Sequence, residues 1–144
     1  MIIFYGGIKM KVAVRYYSRS GNTKKLADAV AEVAGVKAEI VDVKLTEDVD
    51  VLFIANSLYW HGIDKNVKNF LANPGAKIGK LVNVSTASLT DTTYPQMQKI
   101  ADKLSLNLAS EEFHCKGQFK NLHKGRPNED DIKQVKEFAH KIVD

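Results

Sequence analysis

Cys115 is the only cysteine of the chain. An internal disulfide framework is therefore excluded, and a lone thiol fits a reducing compartment, so a cytoplasmic location is expected. With 3 prolines and 9 glycines in 144 residues, there is no room for a long flexible linker or a low-complexity tract. No apolar run is long enough to span a bilayer, and no membrane association is expected. Residues 1–9 are apolar and aromatic but lack the basic start and cleavage site of a signal peptide. The pattern G-x-x-x-x-G-K is missing, which excludes a P-loop nucleotidase. His61, His114, His123 and His140 are the 4 histidines; they show no paired ligand spacing, so no metal is expected.

What is present is the composition of an ordinary globular protein, 44% hydrophobic and 26% charged. Its length suits one domain with a sizeable core. Residues 10–144 are read as that domain and residues 1–9 as an N-terminal extension, with Met10 an alternative start and Ile2-Ile3-Phe4-Tyr5 either a short strand or a tail. The formal charge is +4. Its lysines are scattered through every element and form no stripe, so a solvated surface is expected and a nucleic-acid partner is not.

The stretch Ser18-Arg19-Ser20-Gly21-Asn22-Thr23 organises the rest. Before it, residues 12–17 are short, β-branched and aromatic, as a largely buried strand is. After it, Leu26, Ala27, Val30, Val33 and Ala34 recur at helical spacing, and Gly35 stands where a helix stops. A strand that enters a helix through small hydroxylated residues aims backbone N–H groups and the positive end of the helix dipole at one place. An anion suits that place. Ser18, Ser20 and Thr23 can each donate a hydroxyl to a phosphate oxygen, and Gly21 lets the backbone approach closely. The same residue types also cap helices in general, so the pattern alone leaves both readings open.

Further along, residues 37–43 read as a second strand. Residues 46–50 then hold barely one helical turn, whereas a parallel crossover usually takes about a dozen residues. Residues 51–55 are continuously apolar, as a strand covered on both faces must be. Asp64 caps a helix carrying Val67, Phe70 and Leu71 inward, and Asn73-Pro74-Gly75 stops it. Residues 81–85 form a fourth strand, and Pro95 opens a helix with Met97, Ile100, Ala101 and Leu104 inside. Residues 107–115 supply a fifth strand, interrupted by Ser110-Glu111-Glu112. Asn128 caps the last helix, where Glu129, Asp130 and Asp131 suit the positive end and Ile132, Val135, Ala139 and Ile142 face inward. Strands alternating with helices predict an α/β fold, a parallel sheet covered on both faces.

In such a sheet a ligand lies beyond the carboxyl ends of the strands, where loops 18–23, 56–62 and 86–94 converge. Tyr59, Trp60 and Tyr94 fall in these loops. Flat rings there either stack on a flat heterocycle, at about 0.5–1.5 kcal/mol per contact, or cover the edge of the core.

The spacing S/T-x-S/T-G-x-T after the first strand resembles the FMN-phosphate loop of flavodoxins, matched by Ser18, Ser20, Gly21 and Thr23. The resemblance to short-chain flavodoxins extends from residue 10 to the end. It implies a flavodoxin-like, doubly wound sheet of five parallel strands in the order 2-1-3-4-5, with helices on both faces and a reduced second helix. It also implies noncovalent FMN, an electron-transfer role, and a redox protein partner acting as reductase or acceptor. By this resemblance Ser18, Ser20, Gly21, Asn22 and Thr23 hold the phosphate, with Arg19 a further cofactor-binding candidate by its place in the same loop, and Thr86, Ala87 and Ser88 line the ribityl and pyrimidine side. Ser57, Leu58, Tyr59, Trp60, His61 and Gly62 flank the redox edge, with Tyr94 a further aromatic beside the ring. Gly62 is either the point where a peptide reorients on reduction or only the turn into the next helix. No side chain is assigned a catalytic role, and a monomer is expected. Two features depart from the family: its carriers tend to be acidic whereas this chain is basic, and Arg19 puts a cation in the phosphate loop.

Two rivals keep the fold. A small FMN-dependent NAD(P)H oxidoreductase, reducing a quinone or similar acceptor, needs room over the ring that Tyr59 and Trp60 would tend to occupy. A non-redox binding module needs no flavin at all. A receiver domain lacks support, since Tyr16-Tyr17 and Asn56 stand where it needs acids, and a low-molecular-weight tyrosine phosphatase would need a cysteine in the first loop. The flavodoxin-like activators of ribonucleotide reductase carry a glycine-rich ring loop in place of Tyr59-Trp60-His61. Lys116, Lys120, Lys124 and Arg126 form either a solvated basic loop or a docking patch for an acidic redox partner or a phosphorylated nucleotide.

Overall fold

The structure, a computed structural model, describes residues 4–5, 8–60 and 62–144. Strand β1 (Phe4–Tyr5) pairs antiparallel with β2 (Ile8–Lys9), apart from the main sheet. Ile2 and Ile3 of the candidate leader strand lie outside the described residues, as does His61 of the ring loop. The main sheet is built from β3 (Val12–Tyr16), β4 (Ala38–Ile40), β5 (Val49–Tyr59), β7 (Ile78–Ala87) and β8 (Leu108–Lys116), in the order β4-β3-β5-β7-β8. All its pairings are parallel. Numbered along the chain, that order is the expected 2-1-3-4-5. A short β6 (Gly62–Ile63) folds back antiparallel on β5.

Alternation along β5 divides the core into two layers, because successive side chains of a strand point to opposite faces. Val51, Phe53 and Ala55 pack with Leu26 and Val30 of α1 (Asn22–Ala34) and with Val135 and Ala139 of α4 (Glu129–Val143). Leu52 and Ile54 pack on the other side with Val67, Phe70 and Leu71 of α2 (Lys65–Ala72) and Met97 of α3 (Tyr94–Leu104). Each of the larger side chains among them, such as Phe53, Leu26, Leu52 or Met97, contributes about 1.5–3 kcal/mol by its burial. The helix ends sit where capping chemistry puts them. Gly35 closes α1 at φ 71, Asp64 accepts from the Asn66 N–H to open α2, and Asn128 with Asp131 forms a reciprocal capping box on α4.

Three expected elements differ. The second strand spans Ala38–Ile40 and not 37–43, and no helix follows it. Val41 and Leu45 of that connection are buried against the α2 and α3 side instead. Arg15, 7% exposed inside β3, completes the cover. Its Nε donates to the Val43 carbonyl at 2.7 Å and its Nη2 to that of Lys44 at 3.3 Å, so the guanidinium satisfies loop carbonyls that a helix would have satisfied internally. The third strand runs on to Tyr59, so most of the expected ring loop is strand and the remainder a tight hairpin in which Tyr59 pairs with Gly62. In the fifth strand, β7 advances from Leu81 to Asn83 while β8 advances from Leu108 to Glu112. The polar Ser110-Glu111-Glu112 is therefore a bulge.

Candidate functional site

At the carboxyl end of β3 the chain turns through residues 18–21 into α1. Gly21 takes φ 92, and a Cβ built on it meets open space. Two hydroxyls brace the turn from within: Gly21 N–H donates to Ser18 Oγ at 2.9 Å and Asn22 N–H to Ser20 Oγ at 3.3 Å. A hydroxyl that accepts an N–H still has its own hydrogen to donate. Ser18 and Ser20 can therefore present O–H donors to an anion without undoing the turn. Thr23 is placed differently. It is buried, and its Oγ1 lies 2.9 Å from Thr86 Oγ1 at the end of β7, so it ties the first loop to the third.

Arg19 does not turn into the cradle. Its Nη2 donates to Asp64 Oδ2 at 2.8 Å, and the guanidinium carbon lies 4.2 Å from the centre of the Tyr59 ring. The Arg19 N–H also donates to the Tyr59 hydroxyl at 3.2 Å, so the first loop clasps the β5 hairpin. Burial pushes the Tyr59 hydroxyl above its usual pKa. Burial also pushes the Asp64 carboxyl upward, but the Asn66 N–H and Arg19 outweigh it and hold the group below the ordinary carboxylate range. Tyr17 completes the cluster edge-on to Tyr59, with ring centres 6.2 Å apart.

The remaining ring-side residues are scattered. Ser57 Oγ donates to the Thr86 carbonyl at 2.9 Å, joining two of the expected loops. Leu58 packs toward the α2 and α3 core and Gly62 holds the hairpin at φ 106. Trp60 is 99% exposed. Thr86 and Ala87 are buried in β7, and Ser88 accepts from His123 Nε2 at 3.0 Å. Tyr94 is turned away from the cradle: its hydroxyl donates to the Ala109 carbonyl at 2.8 Å, beside the β8 bulge.

Beneath these loops lies a closed polar ring that the sequence reading did not single out. Asn56 Nδ2 donates to Asn83 Oδ1 at 2.7 Å, Asn83 Nδ2 to Thr93 Oγ1 at 3.1 Å, and Thr93 Oγ1 to Asn56 Oδ1 at 2.6 Å. All three residues are fully buried, and the ring fixes the second half of β5 and the middle of β7 against the start of α3. The available signal was Asn83, polar in the middle of an apolar strand. Asn22, Gly117 and Gln118 form a second unanticipated contact. Asn22 Nδ2 donates to the Gln118 carbonyl at 3.0 Å, and a Cβ on Gly117 would come within 3.2 Å of Asn22 and Thr86. The loop after β8 is therefore packed directly on the cradle.

Beside it a polar cavity of about 420 Å³ opens between Asp91, Lys116, Arg126 and the start of α4. Its cations are already engaged: Lys116 meets Asp91 at 3.3 Å, and Arg126 grips Asp131 with two hydrogen bonds. Cys115 lines the same cavity, but burial and the nearby Asp131 carboxylate push its thiol up to about 12, which leaves it a poor nucleophile. The cations of this cavity are thus paired, whereas the Ser18 and Ser20 hydroxyls of the turn before α1 keep hydrogens to donate.

The profile of the flavodoxin-domain family matches residues 13–121. An uncharacterised protein of Methanocaldococcus jannaschii is 30% identical over 149 aligned positions, covering 93% of this chain and 99% of its own. Among solved structures, a flavodoxin from the domain Archaea superposes with a TM-score of 0.71 at 18% identity, over 93% of this chain and 96% of its own. A short-chain flavodoxin associated with a non-canonical PDU bacterial microcompartment gives 0.67 at 16% identity, over 93% and 97%. With the strand order, the hydroxylated turn after β3 and the family match in agreement, the chain belongs to the flavodoxin-domain family.

Proposed function

We propose that the chain binds FMN noncovalently, with the phosphate in the turn of residues 18–23, and acts as a cytoplasmic electron carrier that exchanges electrons with redox proteins. One observation carries the reading. Gly21 holds φ 92 over open space between two hydroxyls whose own hydrogens are free to donate. That donor set fits a phosphate: the Gly21 and Asn22 N–H groups are spent on holding the turn, the two hydroxyl hydrogens remain to donate beside the positive end of α1, and no carboxylate lies between Tyr16 and Asp28 in the sequence to repel an anion. Bound FMN would supply the redox chemistry, and the chain would supply position and electrostatics. Ser18, Ser20 and the start of α1 would bind the phosphate, while the Thr23–Thr86 and Ser57–Thr86 contacts would hold the first and third loops at a fixed separation. The test is reconstitution with FMN, riboflavin and FAD: a yellow complex with FMN, clearly tighter than with riboflavin, is expected. Failure to bind any flavin would leave the non-redox module.

A second reading, the small FMN-dependent NAD(P)H oxidoreductase, is favoured by the outward position of Trp60. At 99% exposure it does not occupy the space over the ring site that the aromatic pair was expected to fill, and Tyr59 is engaged by Arg19. Steady-state NADPH oxidation without a supplied reductase separates the two, since a carrier is inert in that assay.

A further inference from the structure

We propose that the loop after β8 is a docking knob for an acidic electron-transfer protein. Phe119 and Leu122 pair across a two-residue reverse turn, with Phe119 N–H to Leu122 O at 3.1 Å and Leu122 N–H to Phe119 O at 2.9 Å. Residues directly opposite in such a bridge project to the same side. They are 51% and 46% exposed, and Leu89, 78% exposed, belongs to the neighbouring loop. Its two flanking carbonyls are held from this side, Ser88 by His123 and Thr90 by Lys116. The three apolar side chains therefore come from two loops stitched together. Among the described residues the four most exposed large hydrophobics are these three and Trp60, all on loops at the carboxyl end of the sheet.

The display is held rigidly. Gln118 N–H donates to Arg126 O, its Nε2 to Lys120 O, and its Oε1 accepts from Gly125 N–H. Lys120 and His123 sit at φ 54 and φ 52, a backbone region that non-glycine residues enter at a cost. Exposed apolar side chains on a stiff, locally strained loop mark an interaction surface more than a solvated connection.

Charge selects the partner. From Phe113 to Asn128 the chain has no acidic residue, while Lys116, Lys120, Lys124 and Arg126 are cations. Lys116 and Arg126 are paired with Asp91 and Asp131. Lys120 lies 5.4 Å from the centre of the Phe119 ring, which puts a cation at the edge of the apolar pair. The complement is an apolar spot ringed by carboxylates. A protein seated there would lie over the mouth of the cradle, because the Asn22 to Gln118 contact joins the knob to the anion turn. The electron-transfer role of this partner rests on the FMN reading, whereas the docking itself does not.

The test is a calorimetric titration of the full chain, with and without FMN, using a small acidic iron–sulfur ferredoxin as probe. Basic cytochrome c and a single-stranded oligonucleotide are the counter-probes. Ferredoxin should bind and weaken with added salt. Joint Lys120→Glu and Lys124→Glu should weaken it about tenfold or more at low ionic strength, and joint Phe119→Ser and Leu122→Ser should weaken it by a similar factor at low and high salt alike. Phe119 and Leu122 are half exposed and belong to neither core cluster, so the fold should tolerate their replacement. No ferredoxin binding, binding indifferent to both double variants, or tighter binding of cytochrome c or the oligonucleotide overturns the proposal. Ferredoxin binding without FMN binding supports the knob and defeats the flavin reading; FMN binding without ferredoxin binding does the reverse.

Discussion

The two ends of the candidate site are built on opposite plans. At the anion end the parts are locked before any ligand arrives: Gly21 and Asn22 N–H groups rest on Ser18 and Ser20, Thr23 meets Thr86, and Asn22 holds Gln118. At the ring end Trp60 stands in solvent and Tyr94 is bonded elsewhere, while Tyr59 serves Arg19. A small charged group repays a prebuilt cradle, since each donor must be aimed within a few tenths of an ångström to be effective. A flat ring needs only surfaces that can close on it. Order at one end and openness at the other therefore suit a ligand with a charged tail and a planar head.

Both ends stand on the Asn56–Asn83–Thr93 ring, and breaking it should give the largest effect. Asn83→Ala would remove two of the ring's three hydrogen bonds at zero exposure and leave a void, at about 0.5–1.5 kcal/mol for each lost bond before the void is counted. Asn56 Nδ2 keeps the Ile54 carbonyl and Thr93 Oγ1 keeps Asn56 Oδ1. Urea unfolding should show a loss of about 3 kcal/mol; an unchanged midpoint would mean that water replaces the missing amide. Ser20→Ala sharpens the contrast between the ends. It should weaken FMN by about 1.5–3 kcal/mol, tenfold or more, and leave riboflavin unchanged. Equal weakening of both ligands would place the phosphate elsewhere. Thr23→Ala is a poorer probe, because its hydroxyl also supports Thr86 and stability would fall with affinity.

The helix ends and the turn at residues 18–21 were legible because their chemistry is local. Gly35, Asp64 and Asn128 stop or start helices by bonds to residues a few positions away, and the hydroxyls of Ser18 and Ser20 act within one turn. What escaped the sequence was set by partners far along the chain. Nothing near Arg15 says that its guanidinium replaces a helix by binding Val43 and Lys44, and nothing near Arg19 points to Asp64. The length of β5 is hidden because Asn56 and Ser57 are loop-like residue types, whereas Asn56 is satisfied by Asn83 of β7 and by Thr93 at the cap of α3 and stays in the ladder beside Ser85. Tyr94 looked like a ring partner by its place in the loop, yet its hydroxyl goes to Ala109, beside a bulge that only pairing register reveals.

The clasp between the two ends can be loosened by acid. Asp64 is held below the ordinary carboxylate pKa in the folded chain, despite its burial, by the Asn66 N–H and Arg19. A group depressed on folding stabilises fully above its unfolded value, about pH 4, and loses that contribution as pH falls through the folded value. Asp64→Asn keeps a good cap on α2 but removes the ion pair. At neutral pH it should cost about 1 kcal/mol, since the Arg19 partner is half exposed. The gap between variant and parent should close as pH is lowered from about 4. A gap that stays constant into acid would show that the pair does not depend on the charge of Asp64.

Gly62→Ala should cost about 1 kcal/mol, purely from its φ of 106, because a Cβ there meets nothing. Trp60→Ala should cost the fold even less. A side chain 99% exposed has no packing to lose, so unfolding should shift by no more than about 0.5 kcal/mol. Its effect on ligand is the informative part. If the indole closes over a bound ring, its removal should weaken FMN and riboflavin together by about 0.5–1.5 kcal/mol, three- to tenfold, and brighten flavin fluorescence by removing a stacked quencher. Tyr59→Ala serves as the control, because it also releases Arg19 and should lower stability as well as affinity. Unchanged affinity and fluorescence in Trp60→Ala, with FMN still bound, would take the indole out of the ring site and leave the space above it free for a second substrate.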